Sequence, residues 1–173
     1  MRKLIRLAVV LAVQLAILVA IPIPQVLARL RGTPVTLRTA PVDPFDVLAG
    51  HYVTLSYEVE AQSRERAEKD LSDGERVWLT VAPAEPAWKL VSVTRARPAP
   101  AKGRVSIRAR WSRWRGAELE GASRLYVTEE EGKASDARAV EDRQADLLEL
   151  RVDEDGTPAV MRLHGPEIDL RAD

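Results

Sequence analysis

The chain has 173 residues, room for one domain and an appendage, and its 30% charged and 46% hydrophobic content argues against a polytopic membrane protein. It has no cysteine, which excludes disulfides and thiolate metal sites. Its 26 basic and 26 acidic residues cancel, but residues 1–31 hold Arg2, Lys3, Arg6, Arg29 and Arg31 and no acid. The remainder keeps 21 bases against 26 acids, the wrong sign for a nucleic-acid-binding body.

No charge interrupts the run from Leu7 to Ala28, which includes LAVVLAVQLAILVAI. As a helix this run would extend about 33 Å, enough for a hydrocarbon core of about 30 Å. Pro22 and Pro24 are expected to end or kink it, so the spanning helix is placed at about residues 4–23 of an anchor segment 1–31. Arg2, Lys3 and Arg6 bias the N-terminus toward the cytoplasm, leaving residues 32–173 as an extracytoplasmic domain on a single-pass anchor in the cytoplasmic membrane. The same segment also fits a signal peptide with a cleavage site after Ala28, which would release a soluble periplasmic module. The length of the uncharged run favours the retained anchor.

Beyond Gly32 the texture changes to short alternating runs between turn signals. Strands are expected at Pro34–Arg38, His51–Glu60, Arg76–Val81, Trp88–Arg95, Arg104–Trp111, Leu125–Thr128, Leu147–Val152 and Ala159–Leu163. In the second, Val53, Leu55, Tyr57 and Val59 share one face, while Tyr52, Thr54, Ser56 and Glu58 share the other. Residues 61–74 are polar and predict a loop with at most a helical turn. Ala134–Gln144 has the composition of a short helix, and Asp155-Gly156 predicts a hairpin turn. The fold class is therefore mainly β, a small barrel or sandwich with one short helix, preceded by a single N-terminal transmembrane helix.

The stretch DPFDVLAGHYVTLSYEVE places Gly50, His51, Tyr52, Leu55 and Tyr57 in a recognisable pattern, behind a lead-in with Pro41, Asp43 and Pro44. Downstream, RLYVTEEEGKASDARAVE adds an aromatic strand, an acidic glycine-containing loop and a helix-forming run. With the hydrophobic leader, these features resemble the GDYXXLXY protein family. The resemblance implies bacterial membrane anchoring, a β-rich body and a polytopic membrane-protein partner; it implies no reaction. The motif aspartate is His51 in this chain, which puts acid-dependent chemistry at that position in doubt.

Read from the residues themselves, the segment is a structural corner. Gly50 permits the turn, His51 can bond nearby backbone, and the Tyr57 ring packs while its hydroxyl finds a partner. A binding role for His51 and Tyr52 is the alternative. A membrane-tethered serine hydrolase would need a serine beside a lysine or histidine base, and the two histidines, His51 and His164, and the few lysines form no such pattern. No catalytic residue, cofactor or metal site is expected, and Asp153, Glu154 and Asp155 are read as a turn rather than as ligands. In RVSIRARWSRWRG, Arg104, Arg108, Arg110 and Trp114 fall opposite Val105, Ile107, Ala109 and Trp111. That face could meet anionic lipid or a partner, or its arginines could pair with cross-strand acids. The resulting expectation is a non-catalytic interaction or accessory module that contacts the bilayer through its N-terminal helix and binds no nucleic acid. The alternatives are a small exported hydrolase or a released binding module.

Overall fold

In a computed structural model, which describes residues 2–40, 52–126, 146–165 and 168–171, the chain opens with two helices. Helix α1 (Arg2–Ala20) stops for two residues, and α2 (Ile23–Arg31) resumes the climb. The helix thus breaks at Ile21 and Pro22, where the prolines were expected to end or kink it, and a second helix follows. Pro24 lies in the first turn of α2, where its missing N–H would have had no intrahelical acceptor. On either side of the break the carbonyls of Ile17 and Pro22 accept from Ile21 and Val26, at 3.1 and 3.0 Å.

The body is mostly β, as its alternation predicts, with two principal sheets. One has the order β11–β10–β9–β1–β3, formed by β1 (Thr33–Ala40), β3 (Ser56–Tyr57), β9 (Leu147–Val152), β10 (Pro158–Gly165) and β11 (Ile168–Arg171). The other has the order β5–β4–β6–β7, formed by β4 (Arg76–Ala82), β5 (Lys89–Thr94), β6 (Val105–Ser112) and β7 (Gly116–Leu119). A third, small ribbon pairs β2 (Tyr52–Thr54) with β8 (Arg124–Tyr126), and all these pairings are antiparallel. Period-2 alternation sends Val35 and Leu37, Val77, Leu79 and Val81, Ile107 and Ala109, and Leu148 and Leu150 into one shared apolar cluster. Bulges reset the period where it would fail. The register shift between Val160 and Arg162 lets Val160 and Leu163, three residues apart, both turn inward.

The segment expected as one strand over His51–Glu60 is three elements. Strand β2 ends at Thr54, the N–H of Leu55 turns aside to the Ser123 carbonyl at 2.8 Å, and β3 gives way at Glu58 to helix α3 (Glu58–Arg66). The residues expected to share a face, Leu55, Tyr57 and Val59, are nonetheless all buried. Strands β7 and β11 were not expected. The helix expected at Ala134–Gln144 lies outside the described residues, as do Val127 and Thr128 of the Leu125–Thr128 strand. The predicted hairpin at Asp155-Gly156 joins β9 to β10: Gly156 has φ +78°, and Asp153 Oδ1 accepts the Thr157 N–H at 2.7 Å.

Helix α2 packs on β9 and β10, and only Gly32 separates it from β1. The Gly32 N–H donates to the Ala28 carbonyl at 2.9 Å, and Arg151 Nη1 reaches the Leu30 carbonyl at 3.5 Å. A Cβ on Gly32 would collide with the Ala28 carbonyl and sit 2.8 Å from the Val152 nitrogen. The helix therefore enters the sheet with no slack. Replacing Gly32 with valine should destabilise the full chain by about 1–3 kcal/mol, the usual cost of overpacking, read as a lowered denaturation midpoint in detergent. An unchanged midpoint would mean that the junction is loose.

Candidate functional site

Two of the motif residues, Leu55 and Tyr57, belong to a buried clasp. Tyr57 is fully buried, pairs with Thr39 on β1, and stands at the N-cap of α3 with extended backbone angles. Its hydroxyl donates to the Ala122 carbonyl, tying the β3–α3 corner to the segment between β7 and β8. One turn into the helix, Glu60 reaches back: Oε2 accepts the Tyr57 N–H at 3.1 Å, and Oε1 accepts the Leu119 N–H of β7 at 2.7 Å. This is the acidic half of a capping box, turned to hold a neighbouring strand as well. Ser63, another turn along, donates to the Glu60 carbonyl at 2.5 Å and accepts the Ala117 N–H at 2.7 Å. Such close approach requires glycine at the start of β7. Gly116 has φ +85°, and a Cβ there would lie 2.6 Å from the Glu60 carbonyl oxygen.

Burial raises the Glu60 carboxyl from the ordinary 4.5 to about 7, against the two backbone N–H donors, which pull it down. Burial also lifts the Tyr57 phenol well above its usual range, with the Glu60 charge adding to the effect, so it remains a hydroxyl donor. Every polar partner of this pair is a backbone group or Ser56. A carboxylate occupied in this way, among fully buried side chains, positions elements and has no face left for a substrate.

Leu55 and Tyr57 thus belong to the clasp; Tyr52 lies on β2, opposite Tyr126. Gly50 and His51 lie outside the described residues. Along β6 the expected arginine face divides. Arg108 is half-buried and donates to Thr157 Oγ1, and its Nε is buried without a partner. Arg110 bonds the Gly74 carbonyl at 3.0 Å and Glu120 at 3.1 Å. Arg104 and Trp114 are exposed at opposite ends of the strand. His164 pairs with Glu149 across the β9–β10 hairpin at 3.1 Å, and no cluster of three metal-ligating side chains occurs among the described residues. Glu60, Ser63 and Gly116 were missed in the sequence: Glu60 stands three residues after Tyr57, and not after the Ser, Thr, Asp or Asn that marks a helix start.

Three clefts among the described residues bear on the site. One, of about 570 Å³, lies between α3 and the connection from β4 to β5, with Trp88 on its wall and three basic residues (Arg38, Arg66, Lys89) matched by three acidic ones (Glu58, Glu65, Glu85). Arg38 and Glu58 are paired at 3.8 Å, so the cleft has no net pull on an ion. The other two flank α2: Ile23, Pro24 and Leu27 line one of about 400 Å³ with Arg76 and Trp78, and Arg31 lines one of about 540 Å³ with Thr80 and Val105.

Helices α1 and α2 form an apolar stretch from Ile5 to Arg31 whose most apolar 18-residue window has no buried residue, long enough to cross a membrane.

Comparison with known families returns a match to the model for the GDYXXLXY protein, over residues 14–163. No curated protein and no solved structure matches the chain.

Two substitutions test the clasp. Tyr57→Phe removes the bond to Ala122 and should cost about 1–2 kcal/mol in unfolding free energy. For Glu60, a folded pKa of about 7 against an ordinary 4.5 gives the folded state an extra proton between those values. The associated stability is complete below pH 4.5 and drains as the pH rises to 7, by up to roughly 3 kcal/mol. Glu60→Gln should therefore be less stable than the wild type by about 1–2 kcal/mol at pH 5, with the gap closing as the pH rises and the order reversing by pH 8. Parallel pH profiles for the two proteins would contradict the assignment.

Proposed function

The chain belongs to the GDYXXLXY protein family, and from that premise we propose that it is a membrane-anchored accessory module serving a membrane-protein partner. In this reading α1 crosses the cytoplasmic membrane once, with Arg2, Lys3 and Arg6 on the cytoplasmic side and the β-rich body outside. The observation that carries the reading is the pairing of an uncovered apolar helix with a junction that has no slack. A stretch that only directed export would need no packing against the mature body. Here α2 lies on β9 and β10, and Ala28 is buried. Cleavage after Ala28 would discard most of α2 and expose what it covers.

An accessory role, rather than catalysis, is favoured by the use made of the perturbed groups. Among the described residues, the most strongly shifted carboxyl and phenol are both spent on backbone bonds inside the clasp. The partner would meet the uncovered side of α1 within the bilayer, in the manner of packed transmembrane helices.

The test uses protein recovered from its native membranes. Intact mass should include residues 1–28, and a photo-crosslinking residue in place of Leu11 or Leu15 should capture one defined polytopic protein. A mature form starting at Arg29, or crosslinks to lipid alone from both positions, would refute the proposal.

A further inference from the structure

Among the described residues, every large hydrophobic side chain that is exposed lies between Ile5 and Leu30, with one exception. Trp114, 85% exposed, sits in the turn between β6 and β7. An indole is the largest apolar side chain available, and a soluble surface gains nothing by displaying it. Arg113 and Arg115 flank it, both exposed. The turn is held from below by its backbone: the Arg113 N–H donates to Asp73 Oδ1 at 2.9 Å, and the strands close again at the Ser112–Gly116 pair. Arg115 makes a loose pair with Glu118 at 3.3 Å, and the Arg113 guanidinium has no partner among the described residues. The backbone is fixed, and the side chains are left presented.

Where the turn points follows from α2. Its first residues, Ile23 and Pro24, share a cleft with Arg76 and Trp78, whereas its last residue, Arg31, shares one with Thr80 and Val105. In the sheet, Arg76 stands opposite Arg110 and Val81 stands opposite Val105. Moving along α2 away from α1 therefore means moving from the Arg110 end of β6 toward its Val105 end. The β6–β7 turn lies beyond Arg110, at the end of the sheet nearest α1. Arg104 is at the other end, and Arg108 and Arg110 are held by Thr157, Gly74 and Glu120.

We propose that the Arg113-Trp114-Arg115 turn is a second membrane contact, its indole seated at the headgroup level of the leaflet that α1 exits and its arginines on lipid phosphates. Tryptophan partitions to this layer because its ring is apolar and its N–H can be wetted. Arginine beside it can lay its stem along the ring's depth and keep the guanidinium among phosphates. The inference rests on α1 being a membrane span and adds a constraint to it: two points of attachment fix the tilt of the body over the bilayer.

The experiment uses the full chain in phosphatidylglycerol-containing nanodiscs whose acyl chains carry bromine near the headgroups. All four tryptophans lie in the body, so quenching of their emission reports how closely the body approaches lipid. Brominated lipid should quench the wild type, Trp114→Phe should lose more than half of that quenching, and Trp78→Phe should keep most of it. Because the chain has no cysteine, Leu15→Cys can carry an environment-sensitive dye that reports α1 in the same discs. If the dye sits in lipid while Trp114→Phe is quenched like the wild type, the turn contact is wrong and the anchor stands, leaving Trp114 to a protein partner. If the dye sits in water, both fall.

Discussion

Sealing the Glu60 carboxylate away from water is the constraint from which the rest of the body follows. A buried carboxylate must find its donors in the protein, and a buried backbone N–H must find its acceptor there. Glu60 and the N–H groups of Tyr57 and Leu119 answer one another's need. That exchange ends β3 at Tyr57, starts α3 at Glu58, sets the height of β7 against the helix, and requires glycine at position 116. Its energetic character is mixed, since burial favours the neutral carboxyl while the donors favour the charged one, and burial is the larger effect. With its proton on, Glu60 can turn its Ser56 contact around and donate across 3.4 Å, so the corner keeps its bonds in either state.

The same economy of slack appears at the other end of the body. A domain tethered by a flexible linker samples many heights and tilts above a membrane, whereas a helix that runs into a strand with one residue between them transmits its own tilt to the sheet. Gly32 is extended, with φ −62° and ψ 151°, so the residue serves through its lack of a side chain, between the Ala28 carbonyl and the Val152 backbone, and not through unusual dihedrals. The anchor and the body then respond as a unit. In the proposed anchored state, anything that rotates α1 within a bilayer moves the five-stranded sheet on which α2 packs, and anything that grips the body reorients α1.

What was legible in the sequence was what depends on period and composition. The uncharged run announced a membrane-length helix, and alternation in RVWLTVA, VSIRARW and LLELRV placed three strands nearly to the residue. The misreading at His51–Glu60 arose because Leu55, Tyr57 and Val59 satisfy a two-residue period while Val59 and Ser63 satisfy a helical one. What decided between them is Glu60, whose acceptor role depends on Leu119, a contact 59 residues away. The β7 strand is four residues long and opens with glycine, too short and too weak in propensity to be seen alone. In the motif, Leu55 and Tyr57 are both buried. Their partners, Ser123 and Ala122, offer only backbone carbonyls, for which no side-chain pattern exists.

The arginines of β6 show why a stripe in sequence need not be a stripe in function. Arg104, Arg108 and Arg110 follow the strand's alternation, yet their fates are set by what the fold brings opposite them. The β9–β10 turn closes over Arg108, with Gly156 backing directly onto its backbone nitrogen, so this cation is partly withdrawn from water and must use Thr157. Arg110 shares Glu120 with Arg76, two like charges held side by side by one carboxylate between them. Glu120 offsets one of these two charges and Thr157 offsets none, so the middle of the strand keeps part of its positive field alongside its ends. The body's negative balance is then no barrier to a positive tip at the β6–β7 turn, because at physiological ionic strength charges farther than about 8 Å away are largely screened. Local pairing, more than net charge, decides which surface of this protein attracts an anion.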